Sequence, residues 1–215
     1  PRSRFFREKV CRVPTWRGWV CLMLMLLGGA AVTARFLHGF LAISAPAGAD
    51  VLVIEGWLPD YAIERAVEYS REHGYDTLVV TGVDIEKGGH LAGHGNYASL
   101  TGSTLRHLGV PESSVIELPA HDVLRNRTYT TALKVKEWAA TRQDLRRLDV
   151  FTLGPHARRT RLLYRLAMSE SYEVGVVSCP EIDYDPGRWW ATSRGFRQTI
   201  GETLAYGYAR VLFRP

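Results

Sequence analysis

Apolar and polar positions alternate along this chain as short buried runs separated by amphipathic stretches. Residues 50–55 (DVLVIE), 77–81 (TLVVT), 115–118, the run through Val150, Phe151 and Leu153, and 172–178 are continuous apolar segments of strand length. Runs of that kind belong to strands covered on both faces. Helical spacing intervenes over 61–73, with Ile63, Ala66, Val67 and either Tyr69 or Ser70 turned inward, and over 97–108. It recurs over 128–141, with Ala132, Val135 and Trp138 inward, and after Gly154-Pro155, where Leu162, Leu163, Leu166 and Ala167 share a face. Asp60 is a candidate N-cap, and Gly74 and Gly109 are helix stops. A last helix over 193–213 aligns Phe196, Ile200, Leu204, Tyr208 and Val211 or Leu212, a stripe expected to pack on the core, with contact to a bilayer as the alternative. Strands alternating with helices predict right-handed parallel crossovers and a Rossmann-like three-layer α/β domain with a mostly parallel sheet.

Ahead of that domain the pattern changes. Residues 18–34 carry no charge, and Trp16 and Trp19 stand where interfacial anchors would. The segment predicts a transmembrane helix, tilted so that Arg35 reaches outward before the apolar character resumes at 40–43. A cleaved signal peptide is the competing reading, with 32–34 as the cleavage site. Three regions follow: a basic cytoplasmic flank at 1–17, an anchor and linker at 18–45, and the α/β domain at 46–215.

Charge alters the picture less than its total suggests. The formal net charge is +5, but Arg2, Arg4, Arg7, Lys9, Arg12 and Arg17 face only Glu8 within the flank, so the flank accounts for all of it. The domain is close to neutral, which argues against nucleic acid as a partner and, through the positive-inside rule, places the domain outside the cytoplasm. Of three cysteines, Cys11 and Cys21 lie in or before the apolar span, and Cys179, at a strand end, reads as a structural thiol. A glycine-rich loop at 83–96 holds His90 and His94, but the glycines work against a helical ligand pair, and no metal is expected. No Gly-x-Gly-x-x-Gly follows the first strand, so no cofactor is expected and a nucleotide has weak support.

The candidate chemistry sits where strands end. Gly154-Pro155 delivers His156, Arg158 and Arg159 to a helix start at the carboxyl edge of the sheet, a position suited to anion binding. The loop at 119–128 brings Arg125 and Asn126 to the same edge. Arg159 and His156 are expected there as exposed binding groups, and a structural ion pair of Arg159 with a buried carboxylate is the alternative.

Ile54-Glu55-Gly56, Thr81-Gly82, Leu108-Gly109-Val110-Pro111, Arg127-Thr128-Tyr129-Thr130-Thr131-Ala132 and Thr152-Leu153-Gly154-Pro155-His156-Ala157-Arg158-Arg159 occur in that order. This series resembles the ElyC/SanA/YdcF family of bacterial envelope proteins, over residues 50–213. Glu55-Gly56-Trp57 stands where members usually show a glycine run, and Thr131 replaces an asparagine, the marks of a divergent branch. The resemblance implies a Rossmann-like domain behind a single membrane helix, in the bacterial inner (cytoplasmic) membrane, linked to peptidoglycan or exopolysaccharide biogenesis. The expected partners are the membrane and an anionic small-molecule or lipid-linked ligand, and two functions are open. In the first, the domain binds an anionic envelope or glycan ligand through Gly56, Trp57, Thr81, Gly82, Arg125, Asn126, Thr128, Gly154, Arg158 and Arg159. In the second, a hydrolase or transferase acts on it with His156 as general acid or base and Glu55 as its carboxylate partner.

Overall fold

The computed structural model describes residues 13–86 and 93–215, which fall into two units, Pro1–Phe36 and Leu37–Pro215. The first holds most of one helix, α1 (Trp16–Leu41), whose 26 residues have a mean hydropathy of 2.0 in their most apolar window, with none of that window buried. At about 1.5 Å per residue it exceeds the roughly 30 Å of a hydrocarbon core. By length and composition it can cross a membrane. The Arg35 guanidinium lies 5.9 Å from the Phe36 ring centre.

The second unit contains β1 (Val51–Glu55), α2 (Asp60–His73), β2 (Thr77–Val83), α3 (Tyr97–His107), β3 (Val115–Ala120), α4 (Arg127–Ala139), β4 (Arg147–Leu153), α5 (Ala157–Met168), β5 (Glu173–Cys179) and α6 (Ser193–Val211). Five strands form one sheet in the order β3-β2-β1-β4-β5, and every pairing is parallel. The chain builds outward from β1 to β3, then returns to place β4 on the other side of β1. The connections therefore diverge between β1 and β4, which opens a crevice at the carboxyl ends of those strands.

The apolar runs are continuous because both sheet faces are covered. Leu52, Ile54, Leu78, Val80, Phe151 and Leu153 meet Ala62, Ile63, Ala66 and Val67 of α2 and Ala98 and Leu105 of α3. Val51, Val53, Val79, Leu148 and Val150 meet Ala132, Val135 and Ala139 of α4 and Tyr164, Ala167 and Met168 of α5. Alternate residues of each strand supply the two cores.

Three local expectations change. Pro59, not Asp60, occupies the N-cap of α2, without a side-chain cap bond. The stretch at 45–49, read as a linker, is tied down: Ala45 exchanges two backbone hydrogen bonds with Val176 (2.8 and 3.1 Å), and the buried Asp149 carboxylate accepts from the amides of Ala47 (2.6 Å) and Ala49 (3.2 Å). The largest change concerns α6. The stripe expected in the core points outward: Phe196, Leu204, Tyr208, Val211 and Leu212 are 50–70% exposed, and Gly195, Thr199 and Ala209 are buried instead. The two faces lie on opposite sides of the helix at 100° per residue. The inward face is chosen by what α6 must bring to the crevice, which is a carboxylate.

Candidate functional site

At the crevice between β1 and β4, Glu55 ends one strand and Thr152 stands one residue from the end of the other. Glu55 is 2% exposed. Its Oε2 accepts a short hydrogen bond from the Thr152 hydroxyl and a longer one from Thr160 Oγ1 (3.4 Å) on the first turn of α5. Beyond β4, Gly154-Pro155-His156 forms a tight 3-10 turn with Gly154 at φ +47°, where a Cβ would come within 2.8 Å of Glu181 Cγ. A side chain at 154 would be both strained and crowded, so glycine shapes the turn that aims His156 into the crevice.

The His156 ring lies between two carboxylates. Its Nδ1 lies 2.9 Å from both Glu202 Oε1 and Arg159 Nη2, so that in the imidazolium form it donates to Glu202, and its Nε2 lies 3.7 Å from Glu55 Oε2. Arg159, one turn further on, grips Glu202 with two parallel bonds, Nε to Oε2 at 2.8 Å and Nη2 to Oε1 at 3.0 Å. Two carboxylates, an imidazolium and a guanidinium make a neutral quartet assembled from β1, the turn after β4, α5 and α6.

The quartet sets its own protonation. Burial alone would push the His156 imidazole down, but the Glu55 charge and the Glu202 hydrogen bond prevail and lift its pKa to about 9. Burial would raise both carboxylates, yet Glu55 is held below its ordinary value by the imidazolium and by the Thr152 hydroxyl. Glu202 is held at about 2 by its bonds to His156 and Arg159. At neutral pH His156 therefore carries both protons, and the Nε2 proton faces Glu55 without a partner at hydrogen-bond distance.

Glu55 also forms part of the wall of a cavity of about 250 Å³. Trp57 and Tyr97 give it aromatic surface, Thr81, Thr128 and Thr131 give it hydroxyls, and Arg127 gives it a cation. Trp57 stands edge-on to the His156 ring at 5.0 Å between centres, and His156 itself is not part of the cavity wall. Across the mouth, Arg127 pairs with Glu86, and Asp84 accepts from His121 Nδ1 (2.7 Å) and the Asp122 amide (2.9 Å). Those bonds hold the Asp84 carboxyl below its ordinary range. Asp122 and Asn126 both adopt positive φ (56° and 54°) in this loop, backbone strain of the kind retained where geometry matters.

The sequence-predicted residues separate into groups. Glu55, Trp57, Thr81, Gly82 and Thr128 line the cavity, and His156 lies behind it. Gly56 and Gly82 are there for close approach, since a Cβ at either would strike the backbone around Tyr97 and Ala98. Arg159 is brought in, but as the partner of Glu202 and not as a free anion grip. Arg158 turns away, donating to the Phe40 carbonyl and stacking on the Phe40 ring at 3.9 Å. Arg125 and Asn126 are exposed on the loop, and Asn126 borders a neighbouring apolar groove. Cys179 is buried, and burial pushes its thiol up to about 11, consistent with a structural thiol. His94 is half-buried and His90 lies outside the described residues; among the described residues no three His, Cys, Asp or Glu side chains gather as a metal set.

Sequence reasoning missed Glu202, Thr160, Tyr97 and Thr131, and placed Arg127 on the charged loop at this edge without giving it a binding role. Glu202 had a signal: it is the only acid between Ser193 and the C-terminus, set opposite the apolar stripe of its helix. The chain matches no protein-family model, and no curated protein resembles it in sequence. The chemistry of this crevice is the guide to its role.

Proposed function

We propose that this chain is a single-pass protein of the bacterial cytoplasmic membrane, a divergent relative of the ElyC/SanA/YdcF family. Its α/β domain faces away from the cytoplasm and binds an anionic, phosphate- or carboxylate-bearing envelope or glycan ligand in peptidoglycan or exopolysaccharide biogenesis. The observation that carries this reading is the cavity at the strand crevice, whose wall combines Trp57 and Tyr97 with three threonine hydroxyls, Arg127 and Glu55. Sugar rings offer apolar faces to aromatic side chains and hydroxyls to small polar ones, and an arginine matches a phosphate or carboxylate in two-point fashion. Arg127 takes the anionic role, because the Arg159 fork is filled by Glu202. Its surface pairing with Glu86 is weak enough for a ligand to displace. The membrane assignment draws on the apolar length of α1 and on the basic flank before it.

The test is mass spectrometry of small molecules released from the full chain purified from membranes in mild detergent. The expected result is a phosphate- or carboxylate-bearing glycan or lipid-linked species that is depleted in Trp57→Ala and Arg127→Ala. Equal recovery from all three proteins would refute the reading. A reporter fused after the C-terminus should be active outside the cytoplasm, and cytoplasmic activity would reverse the orientation.

One observation favours the second reading, a hydrolase or transferase on the same ligand. His156 is protonated at neutral pH and aims its unpartnered Nε2–H at Glu55, the one member of the quartet in the cavity wall. That arrangement keeps Glu55 ionised at the cavity wall, where it can take a proton from the ligand as general base, with the His156 imidazolium behind it holding its charge. Turnover of the copurifying ligand, lost in Glu55→Gln with binding retained, separates an enzyme from a binding protein.

A further inference from the structure

We infer that the outer face of α6 is a membrane-surface contact, seated on anionic lipid headgroups with its apolar stripe in the interfacial region. The stripe is largely uncovered: Phe196, which meets the Trp189 ring at 6.1 Å between centres, and Leu204, Tyr208, Val211 and Leu212 are each half or more exposed over the length of a 19-residue helix. Scattered exposed apolar residues need no explanation, but an aligned face of this length does.

Charge selects the occupant. Arg197, Arg210 and Arg214 are exposed along or just beyond α6, Arg194 is exposed but paired with Asp183 (2.7 Å), and the single acid of the helix, Glu202, is consumed by Arg159 and His156 on the inner side. An exposed apolar stripe that carries arginine and no exposed acid of its own helix has the composition of a helix lying in the plane of a bilayer surface. A second copy of the same face would bring Arg197, Arg210 and Arg214 against their own like charges.

Position agrees. The domain takes hold of the chain within the last turn of α1: Leu41 is buried, His38 Nε2 lies 3.1 Å from the Tyr184 hydroxyl, and Arg158 clamps Phe40. The Phe40 ring meets Tyr206 of α6 edge-on at 6.0 Å between centres. Phe40, in the last turn of α1, thus touches the helix proposed to lie on the surface. This inference rests on α1 being a membrane span and is independent of what the cavity binds.

The experiment uses the full chain in vesicles of phosphatidylethanolamine and phosphatidylglycerol, with benzoylphenylalanine placed at Leu204, at Glu68 on the opposite layer, or at Leu24 within the span. Illumination followed by mass spectrometry should give lipid adducts at Leu204 and Leu24 and none at Glu68. Arg197→Glu with Arg210→Glu should cut the Leu204 adduct several-fold and leave the Leu24 adduct unchanged. A crosslinked dimer at Leu204, or no adduct there while Leu24 reacts, overturns the proposal. Loss of both adducts overturns it together with the membrane-span reading on which it rests, while leaving the cavity reading standing.

Discussion

The two ends of the sheet each bury a carboxylate, and they use it differently. At the amino end, Asp149 accepts from the amides of Ala47 and Ala49 and from the Tyr75 hydroxyl (2.9 Å). Neutral donors satisfy it, and Gly175 leaves the space, since a Cβ there would collide with the Asp149 carboxylate and the Ala47 amide. At the carboxyl end, Glu55 has two threonine hydroxyls and then charged neighbours, with one proton facing it unpartnered. The first arrangement latches a chain segment; the second stores charge beside a cavity. The larger cavity, about 550 Å³, is at the amino end, lined by surface groups such as Arg142, Asp144 and Arg146. Cavity size alone points to the amino end, whereas the partners of the buried carboxylate point to the carboxyl end.

Several measurements would break or sharpen this contrast. The largest effect is expected from Glu202→Ala, which leaves Arg159 and His156 without their shared partner; removing one member of a buried ionic cluster costs about 3–5 kcal/mol. Urea unfolding should show it, and a loss under 1 kcal/mol would mean that the quartet is not a unit. Arg159→Lys, which keeps the charge but not the fork, should fall between that variant and the native protein.

Asp149→Ala removes the latch. Leaving buried amides unsatisfied should cost about 2–3 kcal/mol. Ligand recovery per folded molecule should stay unchanged, and a parallel loss of ligand would erase the distinction between the two ends.

The pH dependence is the next sharpest contrast. His156 has a folded pKa raised to about 9, so its contribution is complete below its ordinary value of 6.5 and is lost as pH rises through 9. Glu202 is lowered to about 2, so its contribution is complete above its ordinary value of 4.5 and is lost as pH falls toward 2. Denaturation midpoints across that range should fall on both sides of neutrality. Asp149→Ala should keep the alkaline fall, and His156→Gln should abolish it.

The smallest effect on stability is expected for Trp57→Ala. Its ring is 42% exposed, and losing the edge-on contact with His156 should cost about 1 kcal/mol. Ligand recovery should nonetheless drop sharply. A stability loss as large as that of Glu202→Ala would make Trp57 part of the scaffold.

The strands, the layer order and the membrane-compatible helix were legible in residue order, because each is dictated by periodicity within a few turns of chain. A run such as 50–55 has to be covered on both faces, and a stretch such as 18–34 has no charge to keep it in water. The glycine turn at Gly154 and the convergence of Glu55 and His156 were also within reach, since both follow from strand ends meeting at one edge. The orientation of α6 was not. Its apolar stripe is the stronger periodic signal, and hydrophobicity alone sends that stripe inward. Only the tertiary structure shows that the helix turns its lone acid inward, because the positive charges of His156 and Arg159, buried by the rest of the fold, need a carboxylate more than the core needs another apolar face. Residue order determined which segments must be covered. Long-range charge balance, which has no period along the chain, decided which face of α6 does the covering and so completed the site.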